Sequence, residues 1–513
     1  MGLLNRLGLR PPGPPRCFAE GRFQIAGVTV INPMHDRRAR ATLDISSGAI
    51  AGISDTHTVP PSEFAGCFAL PGLVDMHVHL PPDNALKLTQ GAALLYLLHG
   101  VTSIREAGDL DGTAVAAARR LSSEAAHPVP RVFSCGPFVG AGRATFKNTI
   151  LLEDASPAAA DAAARRVKAD GASFMKFYEG LTEPMIRSLE QACARHGLKM
   201  MGHVPAGITY EDARIAEVQH FFGVPEPPTL ERDTLVNRSC DWHAVDERRM
   251  DRIVEATLAH GIANTPTIVT NQKMLCYRDF EAARRQSDMS KVPPFYLDVI
   301  WHPERGRFNN RLPRDYLERQ VVPAIAKKQR LTRKLFDASA QLYLGTDVAQ
   351  PFVIPGASLL EEMALFVEAG IRRRTSLEAR DIKCGRPARR ARPWPRRNRC
   401  SGRHFIVSTR SDRGDLQHFE PGGRGRGGQA ISHHRSQSRP PIERGVFHLA
   451  ADQAARAARR RARAGARIQP HSGVISRSLL SREDLLWIDR IAGLQSRRLK
   501  CPRRRIVRSI PPR

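Results

Sequence analysis

His77 and His79 stand two residues apart in the run LVDMHVHL (73–80). On a β-strand that spacing puts both imidazoles on one face, with Met76 and Val78 on the other. Two imidazoles converging at a strand end suit a divalent cation, although a lone His-x-His also arises by coincidence. Residues of matching chemistry close later apolar runs. His203 ends KMMGH (199–203), His220 lies in VQHF (218–221), Asp347 ends LYLGTD (342–347), and Lys176 sits inside SFMKFYE (173–179). Each has a structural alternative: a strand-end histidine can be a satisfied core residue, a buried lysine can pair with a neighbour such as Glu179, and Asp347 can cap a turn. Six such residues at equivalent positions are better explained by one site than by six coincidences. Tyr178 and Arg143, the latter in FVGAGRATF (138–146), fall at the same rim. Arg143 suits bidentate capture of a substrate carboxylate, against the plainer reading of a solvated loop arginine.

The elements that must position these residues repeat. Eight short apolar runs (73–79, 101–108, 131–136, 173–179, 199–204, 218–221, 265–270 and 342–347) alternate with helical stretches such as SPAAADAAARRVKADG and EPMIRSLEQACARHG. Strand-then-helix repeated eight times predicts an α/β fold of the (β/α)8 TIM-barrel class, with a doubly wound sheet as the alternative. The candidate residues then gather at the C-terminal ends of the strands, the face where barrel active sites are built. Residues 1–20 are expected to be disordered. Alternating strands over 21–66 begin a small, incomplete β-sandwich domain, and the barrel spans 67–371. Residues 271–320 form an insertion that can act as a lid. Its aromatics, Phe295, Tyr296 and Trp301, can contact substrate or simply pack the loop.

In this order, PGLVDMHVHL, FMKFY, GHVPAG, VQHFFG and LGTDVAQP resemble the amidohydrolase superfamily, and most of all its branch of imidazolonepropionase-like hydrolases and Xaa-Pro dipeptidases. The resemblance runs from about Phe23 to Ile371. It implies a hydrolase, with peptidases among its relatives, that cuts the C–N bond of an amide, cyclic amide or dipeptide by metal-activated hydroxide. It also implies two divalent cations, usually zinc: His77, His79 and Asp347 hold the more buried one, and His203 and His220 hold the second. Lys176 matches the position that this group carboxylates with CO2 to make a bridging ligand, and an unmodified ammonium beside two dications would be repelled. Asp347 is then the catalytic base. Where the family commonly has Ile-Glu-His, this chain has Gln219 before His220, and loss of that carboxylate is expected to loosen the His220 imidazole.

Charge separates the chain into two parts. The net charge of +28 in 513 residues invites a nucleic-acid reading, but residues 371–513 hold 37 Lys or Arg against 10 Asp or Glu, leaving 42 and 41 in the first 370. The neutral part is no polyanion surface. The tail is basic through Arg and lacks the aromatics that base stacking needs, so nucleic acid is an unlikely partner and polyanion binding is a secondary alternative. A further alternative is an inactive amidohydrolase relic. Nine cysteines without a CxxC pair argue against a disulfide scaffold or zinc ribbon. With no signal peptide and no long apolar run, a cytoplasmic protein with no membrane contact is expected, its partner being a small amide or dipeptide substrate. A homo-oligomer stays open.

Beyond Ile371 the strand–helix rhythm stops and Arg, Pro and Gly dominate. Residues 372–513 therefore read as a frameshifted, low-order tail. Asp381 to Gly385, with permitted codons shifted by one nucleotide, reads Thr-Ser-Asn-Ala-Ala, the sort of helix with which this family resumes. The coding DNA tests this directly: a single-nucleotide shift near codon 372 is expected to open a frame containing that segment, and its absence would refute the reading.

Overall fold

The computed structural model describes residues 22–31, 37–46, 49–55, 64–83, 88–123, 129–306, 312–371 and 405–408. The expected disorder of residues 1–20, and the expected frameshift beyond Ile371, lie outside the described residues, apart from Ile371 itself and the four residues 405–408.

Three strands, β1 (Arg22–Ile31), β2 (Arg37–Ser46) and β3 (Ala49–Asp55), form an antiparallel meander. Alternation buries Val28, Val30, Ala41, Leu43 and Ile45 with Cys67 and Ala69. Strand β4 (Phe68–Pro71) adds parallel to β1, and Phe405–Ser408 (β14) adds antiparallel to β4, giving the order β14-β4-β1-β2-β3.

From Leu73 onward the ladders are parallel. One sheet holds β5 (Leu73–Val78), β6 (Val101–Glu106) and β7 (Arg131–Ser134). The other runs β13-β12-β11-β10-β8-β9, with β8 (Phe138–Ala141), β9 (Thr149–Leu152), β10 (Phe174–Phe177), β11 (Lys199–Gly202), β12 (Glu217–Gln219) and β13 (Ala263–Thr265). Single hydrogen bonds join the two sheets. The Ser173 N–H donates to the Ser134 carbonyl at 3.2 Å. On the other side, residues 341–348 bridge Asn264 through Leu342 and Val78 through Val348. The helices α1 (Leu88–Leu98), α2 (Ala114–Ser123), α3 (Pro157–Ala169), α4 (Glu183–His196), α5 (Tyr210–Ala213), α6 (Leu235–Cys240) and α7 (Glu247–His260) connect the strands. Their limits are written in local chemistry: Ser156 caps α3 by accepting from the Ala159 N–H, Asp246 caps α7 by accepting from the Arg249 N–H, and Gly197 and Gly261 end α4 and α7 in the left-handed region.

Two expectations need correction. The run 265–270 is not a strand: β13 ends at Thr265, Thr267 takes φ +48°, and helix α8 (Ile268–Met274) begins, so an apolar run too short to distinguish strand from helix was assigned the wrong period. The eighth run makes isolated bridges at Leu342 and, just beyond the run, at Val348 instead of a strand, and positive φ at Asp347 (+57°) and Ala349 (+102°) ends its extension. The insertion is helical where described, with α9 (Phe280–Arg284), α10 (Arg314–Tyr316) and short 3-10 and π turns leading into α11 (Val322–Asp337). It has a core of its own, in which Trp301 is buried beside Phe280, Leu297 and Phe352, so Trp301 packs the insertion. Helix α12 (Ala357–Glu368) follows the eighth run.

Gly345 shows how tightly that run is held. A Cβ there would lie 2.5 Å from Thr265 Cγ2 and 2.9 Å from His77 Cβ. Gly345→Ala is expected to cost about 1–3 kcal/mol through overpacking. Thermal unfolding measures it, and an unchanged midpoint would show that this contact is loose.

Candidate metal centre

The backbone between β5 and the eighth run is locked before any side chain converges. The N–H groups of Asp347 and Thr346 both donate to the His77 carbonyl, at 2.7 and 3.2 Å. Asp75, fully buried, accepts from the Thr346 hydroxyl at 2.6 Å and from its N–H at 3.1 Å. Asp347 and His220 (φ +63°) occupy the left-handed region, which costs on the order of 1 kcal/mol or more for a non-glycine residue and persists where surrounding structure imposes it.

The six residues expected from sequence come together. His77 Nε2 and His79 Nε2 each lie 3.4 Å from Asp347 Oδ1, and one donor atom from each of the three falls within 4.8 Å of the others. The rings then continue in a chain: His77 to His220 at 4.7 Å between centroids, and His220 to His203 at 5.1 Å. Lys176 is fully buried, and its charge acts on His77, His203, His220 and Asp347. Its Nζ has no hydrogen-bond partner, and neither has His77 Nε2. The alternative pairing of Lys176 with Glu179 is not formed, because Glu179 is engaged by His203 and Arg238.

Every one of the four imidazoles is held from outside through Nδ1. His79 Nδ1 donates to the Gly108 carbonyl at 2.9 Å, His77 Nδ1 meets Gln219 Oε1 at 2.5 Å, His203 Nδ1 meets Glu179 Oε1 at 3.1 Å, and His220 Nδ1 meets Thr267 Oγ1 at 2.6 Å. For the first three the partner is an oxygen that only accepts, which puts a proton on Nδ1; in His77 and His203, kept neutral by burial, this leaves the Nε2 lone pair free, whereas His79 Nε2 faces the Asp347 carboxylate. Gln219 therefore does not serve His220, as expected from sequence. It reaches from β12 to orient His77 on β5 of the other sheet, and Thr267 takes the role beside His220. Gln219 Nε2 in turn donates to Glu217 at 2.8 Å, and Glu217 forms a buried, two-pronged pair with Arg105.

Burial dominates the electrostatics. It holds His77, His203 and His220 well below the ordinary imidazole value, with the Lys176 charge adding to the effect. Burial also pulls His79 down, but hydrogen bonds to the Asp347 and Glu106 carboxylates outweigh it and push His79 up to about 9. Lys176 is brought down to about 8 by burial, against the pull of Asp347. Burial would raise Asp347, but the His220 and His79 charges and the hydrogen bond to His79 hold it below the usual carboxylate range.

Aromatic rings wall the cluster. Phe138 stacks on His79 at 5.7 Å, Tyr178 lies 4.7 Å from His203, and Phe222 lies 4.8 Å from His203. Tyr178 thus sits where the sequence placed it. Arg143 is exposed on the loop after β8, and none of the described ion pairs or ring contacts joins it to the cluster. The residues missed from sequence are Gln219 as the partner of His77, together with Thr267, Glu179 and Arg238. Only Glu179 carried a signal, as the carboxylate next to Tyr178 in FMKFYE.

Parallel sheets with alternating helices, and donors clustered at strand ends, define a TIM-barrel-like α/β hydrolase. The amidohydrolase family model matches residues 68–380, and the chain belongs to that family, hydrolases acting on carbon–nitrogen bonds. Among solved structures, a bottromycin amidohydrolase is 23% identical with a TM-score of 0.53, over 74% of this chain and 78% of that one. A Xaa-Pro dipeptidase with methionine in its active site is 16% identical (TM-score 0.48; 71% and 88% covered), and the ochratoxinase of A. niger is 14% identical (0.46; 71% and 83%). No curated protein sequence matches the chain. No helix among the described residues is long and apolar enough to cross a membrane.

The Arg105–Glu217 pair makes the support of His77 testable. Arg105→Met leaves the Glu217 carboxylate buried without its partner and is expected to cost about 3–5 kcal/mol in urea unfolding. A loss below about 1 kcal/mol would mean that Glu217 is otherwise neutralised.

Proposed function

We propose that the chain is a metal-dependent hydrolase cleaving the C–N bond of a small amide, cyclic amide or dipeptide. The carrying observation is that all four histidines are anchored through Nδ1 while the buried amine of Lys176 has no partner. Three neutral imidazoles, a low-pKa carboxylate and an unpartnered amine fit a pair of divalent cations, with zinc the natural occupant of nitrogen and oxygen donors. His77, His79 and Asp347 would hold one cation, and His203 and His220 the other. When bound, the cations supply Lewis-acid polarisation of the scissile carbonyl and make water nucleophilic at neutral pH.

The chain's own groups do the rest. With its pKa brought down to about 8, Lys176 is partly a free amine near neutral pH, and that amine can add to CO2 with loss of a proton to give a bridging carbamate. This turns a repelled cation into an anionic ligand. Asp347, ionised and next to both histidines of the HxH pair, takes the proton of the attacking water on its carboxylate and passes it to the leaving nitrogen. The aromatic wall limits water around the reacting carbonyl. Tyr178 is the candidate substrate contact within that wall, while Arg143 would reach a substrate carboxylate only from its exposed loop. We read the eight parallel strand positions as a closed (β/α)8 barrel, and β1–β4 as part of a small β-domain.

Zinc-loaded protein, screened against dipeptides, N-acyl amino acids and cyclic amides, is expected to hydrolyse at least one of these classes. Lys176→Ala should lower that rate by more than about 100-fold, beyond the 10–100-fold typical of a supporting residue, and formate should restore part of it. Full activity and metal content in Lys176→Ala would reject the bridging role.

A further inference from the structure

Two of the four imidazoles have a carboxylate beside Nδ1. His79 Nδ1 donates to the Gly108 carbonyl with Glu106 Oε1 3.4 Å away, His77 and His220 lean on an amide oxygen and a hydroxyl, and His203 leans directly on the half-buried Glu179 carboxylate at 3.1 Å. A carboxylate on Nδ1 makes the opposite nitrogen a stronger donor and fixes the ring plane. Glu179 is only half-buried, so a free side chain there would swing toward water. Arg238 prevents this. Its NH2 donates to Glu179 Oε2, its NH1 donates to the Val204 carbonyl at 2.9 Å, and its guanidinium lies over the Phe222 ring at 5.1 Å. Arg238 Nε sits 3.1 Å from Asp233 Oδ1 but makes no hydrogen bond, so that contact is electrostatic only. Asp233 also accepts from the Gly207 N–H at 2.7 Å, which ties in the loop after His203. Arg238 itself is almost fully buried, so its position is set by packing. These contacts fasten together the segments that follow β10, β11 and β12.

We propose that Glu179 and Arg238 are positioning residues that set the affinity of the cation held by His203 and His220, leaving the cation at His77, His79 and Asp347 largely untouched. The inference rests on the two-cation reading above, and its test separates the two. Zinc is titrated into the full chain against a chromophoric chelator. The unsubstituted protein should take up two zinc ions; uptake of one or none would overturn the two-cation reading, and this inference with it. Glu179→Ala should keep one ion at full affinity and bind the second about 10–100-fold more weakly. Glu179→Gln retains an oxygen that accepts from Nδ1 and should recover most of that loss, a rescue that a purely structural role would not give. Circular dichroism checks that each variant folds, and if Glu179→Ala does not fold, Glu179→Gln decides: a second zinc within a few-fold of the unsubstituted protein supports the assignment. Unchanged affinity at both sites in folded Glu179→Ala, an equal loss at both, or no recovery in Glu179→Gln would overturn it.

Discussion

The structure turns on a buried cluster of nitrogen donors whose protonation is set by burial and by the neighbouring carboxylates. Four imidazoles and a lysine amine, all buried, meet at the ends of parallel strands with Asp347 as the carboxylate between the HxH pair. Burial keeps three imidazoles neutral, and outer hydrogen bonds decide which nitrogen faces inward. A cluster of this composition stabilises the fold little by itself. It is held in place by the barrel around it, and its unmet donors are what a cation would satisfy.

That support comes in layers beneath the site. Arg105 reaches from β6 to Glu217 on β12, Glu217 accepts from Gln219, and Gln219 accepts from His77. One buried ion pair thus reaches a candidate ligand on a strand far away in sequence, and the charge of Glu217 is stabilised by Arg105, the Thr265 hydroxyl and the Gln219 amide. On the opposite side of the cluster Glu179 and Arg238 act on His203. The two supports approach the site from different strands, so His77 and His203 are oriented by separate networks.

Irregular backbone concentrates where the chemistry sits. His220, Thr267 and Asp347 all take positive φ, and the eighth run gives up regular pairing to turn Asp347 toward β5. Extended strands would carry these side chains past the centre. The insertion before α11 is helical where described, and its aromatics pack around Trp301 together with Phe352 from the segment after the eighth run.

Much of this was legible in the chain itself. Period-two runs ending in His, Lys or Asp, spaced by helical stretches with Ser or Asp at their starts and Gly at their ends, are local features, and local features fix element type and the face on which a residue sits. His77, His79, Lys176, His203, His220 and Asp347 could be grouped for that reason. The partners could not. Gln219 lies next to His220 in sequence, yet it serves His77 on a strand of the other sheet, because His220 turns away from it through a left-handed backbone conformation. Thr267 is brought to His220 by the pairing of β12 with β13, and Arg238 and Arg105 reach partners on segments distant in sequence only through the tertiary packing. Sequence alone determined which residues can carry the chemistry; the packing of distant strands decided which atoms hold them in place, since hydrogen bonds between side chains depend on distances that only the folded chain creates.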